Sequence, residues 1–142
     1  MAIVQKKDLF SPERVKSEIY SDFFADLDIH PVNKDLVRLT NEDAVKRSIK
    51  NLLLTNPGDI IYDNTVGSNL RKMLFEPMSP TSEGILEQMI SNTIENYEPR
   101  AKLETVRVSA DYDIGLLTAT IVFSVINKEE PITLELILNR IR

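Results

Sequence analysis

The strongest periodicity in the chain lies between residues 79 and 97. In "SPTSEGILEQMISNTIENY", Leu86, Ile90, Thr93 or Ile94, and Tyr97 recur at helical spacing, and Ile85 and Met89 widen the stripe. Ser79 can cap this helix, and Pro80 suits its first position, where a missing N–H loses no partner. Pro99 disfavours helical backbone at Glu98 and so ends it near Tyr97. The spacing therefore predicts a helix over 80–97. Gly84 inside it costs about 1 kcal/mol relative to alanine, which points to close packing at that position. A second amphipathic helix is predicted over 41–55, where Val45, Ile49, Leu52 and Leu53 form the stripe and Lys46, Arg47 and Lys50 lie off it. Thr40 or Asn41 can cap it, Glu42 and Asp43 suit its positive first turn, and "NPGD" stops it. Between the two helices, Ile60, Ile61 and Tyr62 read as a short extended piece and "DNTVG" as a loop. A short helix over 68–75 then turns Leu70, Met73 and Leu74 inward and stops at Pro77.

From residue 103 the period becomes two. Val106, Val108 and Ala110 point one way, and Thr105, Arg107 and Ser109 the other. After a turn at "DYDIG", Leu117, Ala119, Ile121, Phe123 and Val125 line one face of a long strand. After a turn at "KEEP", Ile132, Leu134, Leu136 and Leu138 alternate with Thr133, Glu135, Ile137 and Asn139. This predicts a three-stranded antiparallel meander with helices on one face, an α+β class. Ile137 and Ile141 fall on the outer face of the last strand. An apolar strand at a sheet edge invites another strand to pair, so Leu134, Leu136, Ile137 and Ile141 are the candidate edge residues. Residues 1–35 are the least regular part and read as an arm: extended, a short helix, or a frayed end. The expected organisation is this arm over 1–35 and a single domain over 36–142, opening with a short strand in "LVRLT".

Composition narrows the chemistry. The net charge of −5 argues against nucleic acid as the main partner, since phosphate binding needs a basic surface. No cysteine is present, which excludes thiolate metal sites and cysteine nucleophiles. No apolar run reaches the roughly 18 residues of a membrane span, and "MAIVQKKDLF" lacks the features of a secretory signal. The single histidine, His30, rules out a histidine metal cluster, and its place before Pro31 reads as a loop. The four glycines form no phosphate-binding pattern. No cofactor or metal is implied. Glu83, Glu87, Glu95 and Glu98 are the arithmetic candidates for a glycosidase pair, but Glu83 and Glu87 sit on one helix and read as solvated charges, whereas glycosidase carboxyls face each other across a cleft.

Glu98-Pro99-Arg100 admits three readings. It is a proline stop with two solvent-facing charges, or an internal corner held by hydrogen bonds, or a rigid recognition site for a partner's polar groups.

Three ordered blocks, "LLLTNPGD", "GSNLRKMLFEPMSP" and "IENYEPRAKLETVRV", carry a resemblance over roughly residues 40–126. The sequence resembles the baseplate wedge and sheath-initiator proteins of contractile phage tails, typified by the small wedge protein of T-even phages, with a related component in type VI secretion baseplates. The resemblance implies a non-catalytic virion protein of the tail baseplate, assembled in the host cytoplasm. It implies a position in the inner baseplate around the tail tube and hub. Sheath polymerisation would start from it as arms of the sheath subunit augment its sheet. By the same resemblance Glu98, Pro99 and Arg100 contact the helical core bundle of the main wedge proteins, and Glu98→Ala or Arg100→Ala should block wedge assembly in a folded domain. The family commonly carries an arginine-proline-phenylalanine-like segment and a further proline between the leucine-rich blocks. Here the chain reads "GDIIYDNTVGSNL", with Tyr62 at the aromatic position and no proline. The alternatives are a peptidoglycan-cleaving, lysozyme-like tail enzyme and a strand-pairing adaptor outside any phage.

Overall fold

The computed structural model describes residues 19–24, 27–76, 79–111, 113, 115–126 and 128–139. Residues 1–18 of the expected arm, Pro77 as a helix stop, and Ile141 lie outside these.

The amphipathic segments fold as their stripes require. Helix α1 (Glu42–Leu54) buries Ala44, Val45, Ile49, Leu52 and Leu53. Helix α3 (Pro80–Tyr97), which follows the single turn α2 (Leu70–Met73), buries Leu86, Ile90, Thr93 and Ile94. Each such apolar side chain contributes about 1.5–3 kcal/mol when fully buried. Ser79 caps α3, its Oγ accepting from Ser82 N at 3.2 Å. The cap expected at α1 is absent. Asn41 makes no side-chain cap bond; its Oδ1 instead accepts from Ile19 N at 2.9 Å, and so ties the preceding chain to the helix start. Nor does Gly84 mark close packing among the described residues, because a Cβ there would meet none of them within 4 Å.

The two leucine-rich blocks are joined by backbone. Ser68 is buried; its Oγ donates to Leu53 O at 2.6 Å, and its N–H donates to Thr55 O at 2.8 Å. These bonds satisfy carbonyls left over at the end of α1. Gly67 makes the approach possible. Its φ is +129°, and a Cβ would lie 2.6 Å from Thr55 O. The extended piece expected at Ile60–Tyr62 is a loop of bends, with Ile61 and Tyr62 almost fully exposed. Its run of apolar residues resembles a strand, but among the described residues no neighbouring strand supplies a ladder there.

Strands β3 (Ala101–Asp111), β4 (Leu116–Val125) and β5 (Lys128–Asn139) form the antiparallel sheet β3-β4-β5. Leu117, Ala119, Ile121, Phe123 and Val125 of β4 are all buried against the helices, with Val108 from β3 and Ile132, Leu136 and Leu138 from β5. The "KEEP" segment is not a turn but the start of β5, with Val125 opposite Lys128. Pro131 is tolerated there because β5 is an edge strand and its register shifts between Phe123 and Val125. Among the described residues, the ladder also fixes which backbone groups of β5 are free. Val108 and Ala110 point their N–H groups away from β4, so Arg107 and Ser109 bond Thr120 and Thr118. Leu117, Ala119 and Ile121 therefore bond the opposite way, to Leu138, Leu136 and Leu134. The outward groups of β5 are those of Thr133, Glu135, Ile137 and Asn139.

A two-stranded ribbon precedes α1. Strand β1 (Ser21–Phe23) pairs antiparallel with β2 (Arg38–Thr40), and Ile29 bridges Leu36. The boundary expected at residue 35 thus runs through this ribbon. His30 sits in its turn, where Nδ1 accepts from Val32 N at 3.3 Å. Arg47 of α1 lies over the Phe24 ring, 5.7 Å from its centroid, and holds the ribbon to the body.

Candidate functional site

The last helical bond of α3 runs from Glu98 N to Ile94 O at 2.9 Å. Pro99 breaks the helix, Ala101 N returns to Glu98 O at 3.1 Å, and Ile126 N donates to Arg100 O at 3.0 Å, which joins the corner to the sheet. Glu98 and Arg100 thereby face the same side across Pro99. Arg100 donates from Nε to Oε1 at 2.6 Å and from Nη2 to Oε2 at 2.7 Å, a bidentate pair. The Glu98 residue is only 2% exposed. Ser48 of α1 also donates to its carboxylate. The Arg100 side chain is 35% exposed, and its guanidinium lies over the Tyr20 ring at 5.6 Å. The corner therefore fastens α3, α1, β3 and the segment before β1.

Burial pushes the Glu98 carboxyl up, but the two bonds from Arg100, the Ser48 hydroxyl and the guanidinium charge outweigh it and hold the carboxyl below its ordinary value. Arg100 is pushed up, chiefly by its bonds to Glu98 against the opposing effect of burial, with help from the charges of Glu98 and Asp22. The pair stays ionised over the whole physiological range. Of the three readings of this segment, the internal corner is the geometry present. The Glu98 charge is turned inward, so the outer surface of the corner consists of exposed Pro99 and the uncovered part of Arg100.

The edge candidates divide. Leu136 is buried, and Leu134 is partly buried where it packs against the core. Ile137 is 61% exposed on the outer face, and its backbone faces the free edge.

The opposite edge of the sheet is closed by residues whose role the periodicity missed. Glu87 Oε1 accepts from Val108 N at 2.9 Å, and Glu83 Oε1 accepts from Ala110 N at 3.2 Å. These carboxylates are not solvated helix charges. They take up two outward N–H groups of β3, a direct way to blunt an edge strand. Both reach the same strand, so they do not face each other across a cleft. The available signal was their i, i+4 spacing on a helix that leads straight into β3.

The fold and corner define a class: a small α+β domain whose polar groups fix its own junctions and cover one of its two sheet edges. The chain belongs to the baseplate wedge protein gp25 family, whose model matches residues 40–130. It is 32% identical over 116 residues to the baseplate wedge protein gp25 of Enterobacteria phage T4, covering 82% of this chain and 87% of that protein. Its fold is similar to the crystal structure of a putative tail lysozyme from Geobacter sulfurreducens, with a TM-score of 0.67 at 22% identity, over 73% of this chain and 96% of the other. It is also similar to a chain of the anti-feeding prophage baseplate, with a TM-score of 0.60 at 17% identity and 87% of each chain covered. The family expected from the three sequence blocks is the family found.

Proposed function

We propose that this chain is a structural wedge subunit of a contractile-tail baseplate, carried in the virion and assembled in the host cytoplasm, that starts sheath growth by accepting a strand from the sheath subunit. The observation that carries this reading is the inequality of the two sheet edges. Helix α3 covers β3 with two carboxylates, while β5 keeps a row of outward backbone groups from Thr133 to Asn139. Strand addition uses such an edge and needs no catalytic group. The Glu98-Pro99-Arg100 corner is the proposed contact with the helical core bundle of the main wedge proteins, its outer surface being Pro99 and Arg100, with tail tube and hub proteins as neighbours. A structural role fits the engagement of Glu83, Glu87 and Glu98, which all serve internal bonds, while the fourth candidate, Glu95, is exposed on α3.

Ile137→Pro tests the edge. It removes one outward donor and leaves the ladder to β4 intact. Baseplates carrying it should assemble and fail to grow sheath when viewed by electron microscopy. Normal sheath on these baseplates would overturn the edge assignment.

A further inference from the structure

The final residues of β5 border a groove of about 670 Å³, within the range of binding pockets. Leu54 at the end of α1, Leu74 and Phe75 after α2, and Leu138 of β5 supply its apolar lining, and among the described residues Arg71 and Lys72 of α2 supply its charges. Phe75 is 61% exposed at its lip. Arg71 and Lys72 are exposed, and neither has an ion-pair partner among the described residues. The chain as a whole carries 17 basic and 22 acidic residues, so an unopposed cation pair beside an apolar groove is a local reversal of sign.

We propose that this groove anchors the incoming strand and selects one that begins with acidic residues followed by an apolar side chain. The inference rests on strand addition at β5. An added strand alternates its side chains between the outer face and the helix layer. Opposite Leu138, a side chain on the helix side meets the groove, because Leu138 itself lines it. Antiparallel pairing continues the meander and places the start of the new strand over this end of β5. Its apolar residue then enters between Phe75 and Leu138, and the residue two positions before it, on the same face, meets Arg71 and Lys72. Carboxylates there gain two cations, while lysines are repelled.

Two acetylated peptides of alternating valine and threonine test this, one opening with Asp-Glu-Leu and the other with Lys-Lys-Leu. Affinity is read by fluorescence anisotropy, and strand addition by slowed hydrogen exchange at the Glu135 and Ile137 amides. Both peptides should protect these amides, and the acidic one should bind roughly five to ten times more tightly. The double variant Arg71→Glu, Lys72→Glu should reverse the order. Equal affinities, or an order unchanged in the double variant, with the amides still protected, would overturn the groove and leave strand addition standing. If neither peptide protects the amides, both ideas fall.

Discussion

The Glu98 carboxylate and the Arg100 guanidinium meet through two parallel bonds of 2.6 and 2.7 Å across a single proline. The acid is buried and the base is partly open, so the pair is unequal. Removing the acid strands a half-covered cation, whereas removing the base strands a buried carboxylate, and a lysine in its place keeps the charge but loses the fork.

Glu98→Ala should therefore test the fold before it tests assembly. The expected loss is about 2–3 kcal/mol, below the full value for a buried pair because Arg100 is partly exposed. Arg100→Lys keeps the charge, loses the fork, and should cost about 1 kcal/mol. Urea denaturation measures both. If Glu98→Ala unfolds at the wild-type midpoint, the corner is not a structural lock. Wedge co-assembly is then best scored with Arg100→Lys, well below its melting temperature.

Acid should erase the advantage of the pair. The Glu98 carboxyl sits lower in the folded chain than its ordinary value of 4.5. A depressed folded value means the contribution is complete above the unfolded value and fades as pH falls through the folded one. The stability gap between wild type and Glu98→Gln should hold from neutrality to about pH 5 and narrow at lower pH. A gap that stays constant down to pH 3 would contradict the assignment.

Two glycines should respond in opposite directions to alanine. Gly67→Ala forces a side chain into a positive φ and against Thr55 O, with an expected loss of about 1–3 kcal/mol and a looser Ser68 to Leu53 bond. Gly84→Ala, with open space around it, should gain up to about 1 kcal/mol. Thermal melts of the two variants decide the matter, and equal shifts in one direction would refute it.

Glu83→Ala with Glu87→Ala should uncover β3. Each charge-assisted bond is worth about 1.5–3 kcal/mol where it is well shielded and less at the surface. Amide exchange at Val108 and Ala110 should accelerate, and light scattering should show self-association that grows with concentration. Unchanged exchange at both amides would mean the carboxylates are ornamental.

Most of the architecture was legible because stripes and alternation are local records of burial. The 80–97 helix, the run of inward residues in β4 and the exposure of Ile137 all follow from one or two periods. What stayed hidden depends on distant neighbours. Asn41 looks like a cap until Ile19 arrives to take its oxygen. Ile60, Ile61 and Tyr62 look like a strand until no strand lies alongside. Glu83 and Glu87 look solvated until β3 folds back beneath them. At the corner, Pro99 was readable as a stop, but the burial of Glu98 and its two bonds from Arg100 arise only once the chain has turned, and no local spacing reveals them.

The covered side of the sheet has one more consequence. With α3 carboxylates on two of its outward N–H groups, β3 is the blunted edge of the sheet and β5 the open one among the described residues. On the proposed reading, a joining chain pairs at β5, and a further strand pairs beyond that one. Under the proposed strand addition, growth from this subunit runs in one direction, and the stop lies in the same helix that ends at the corner.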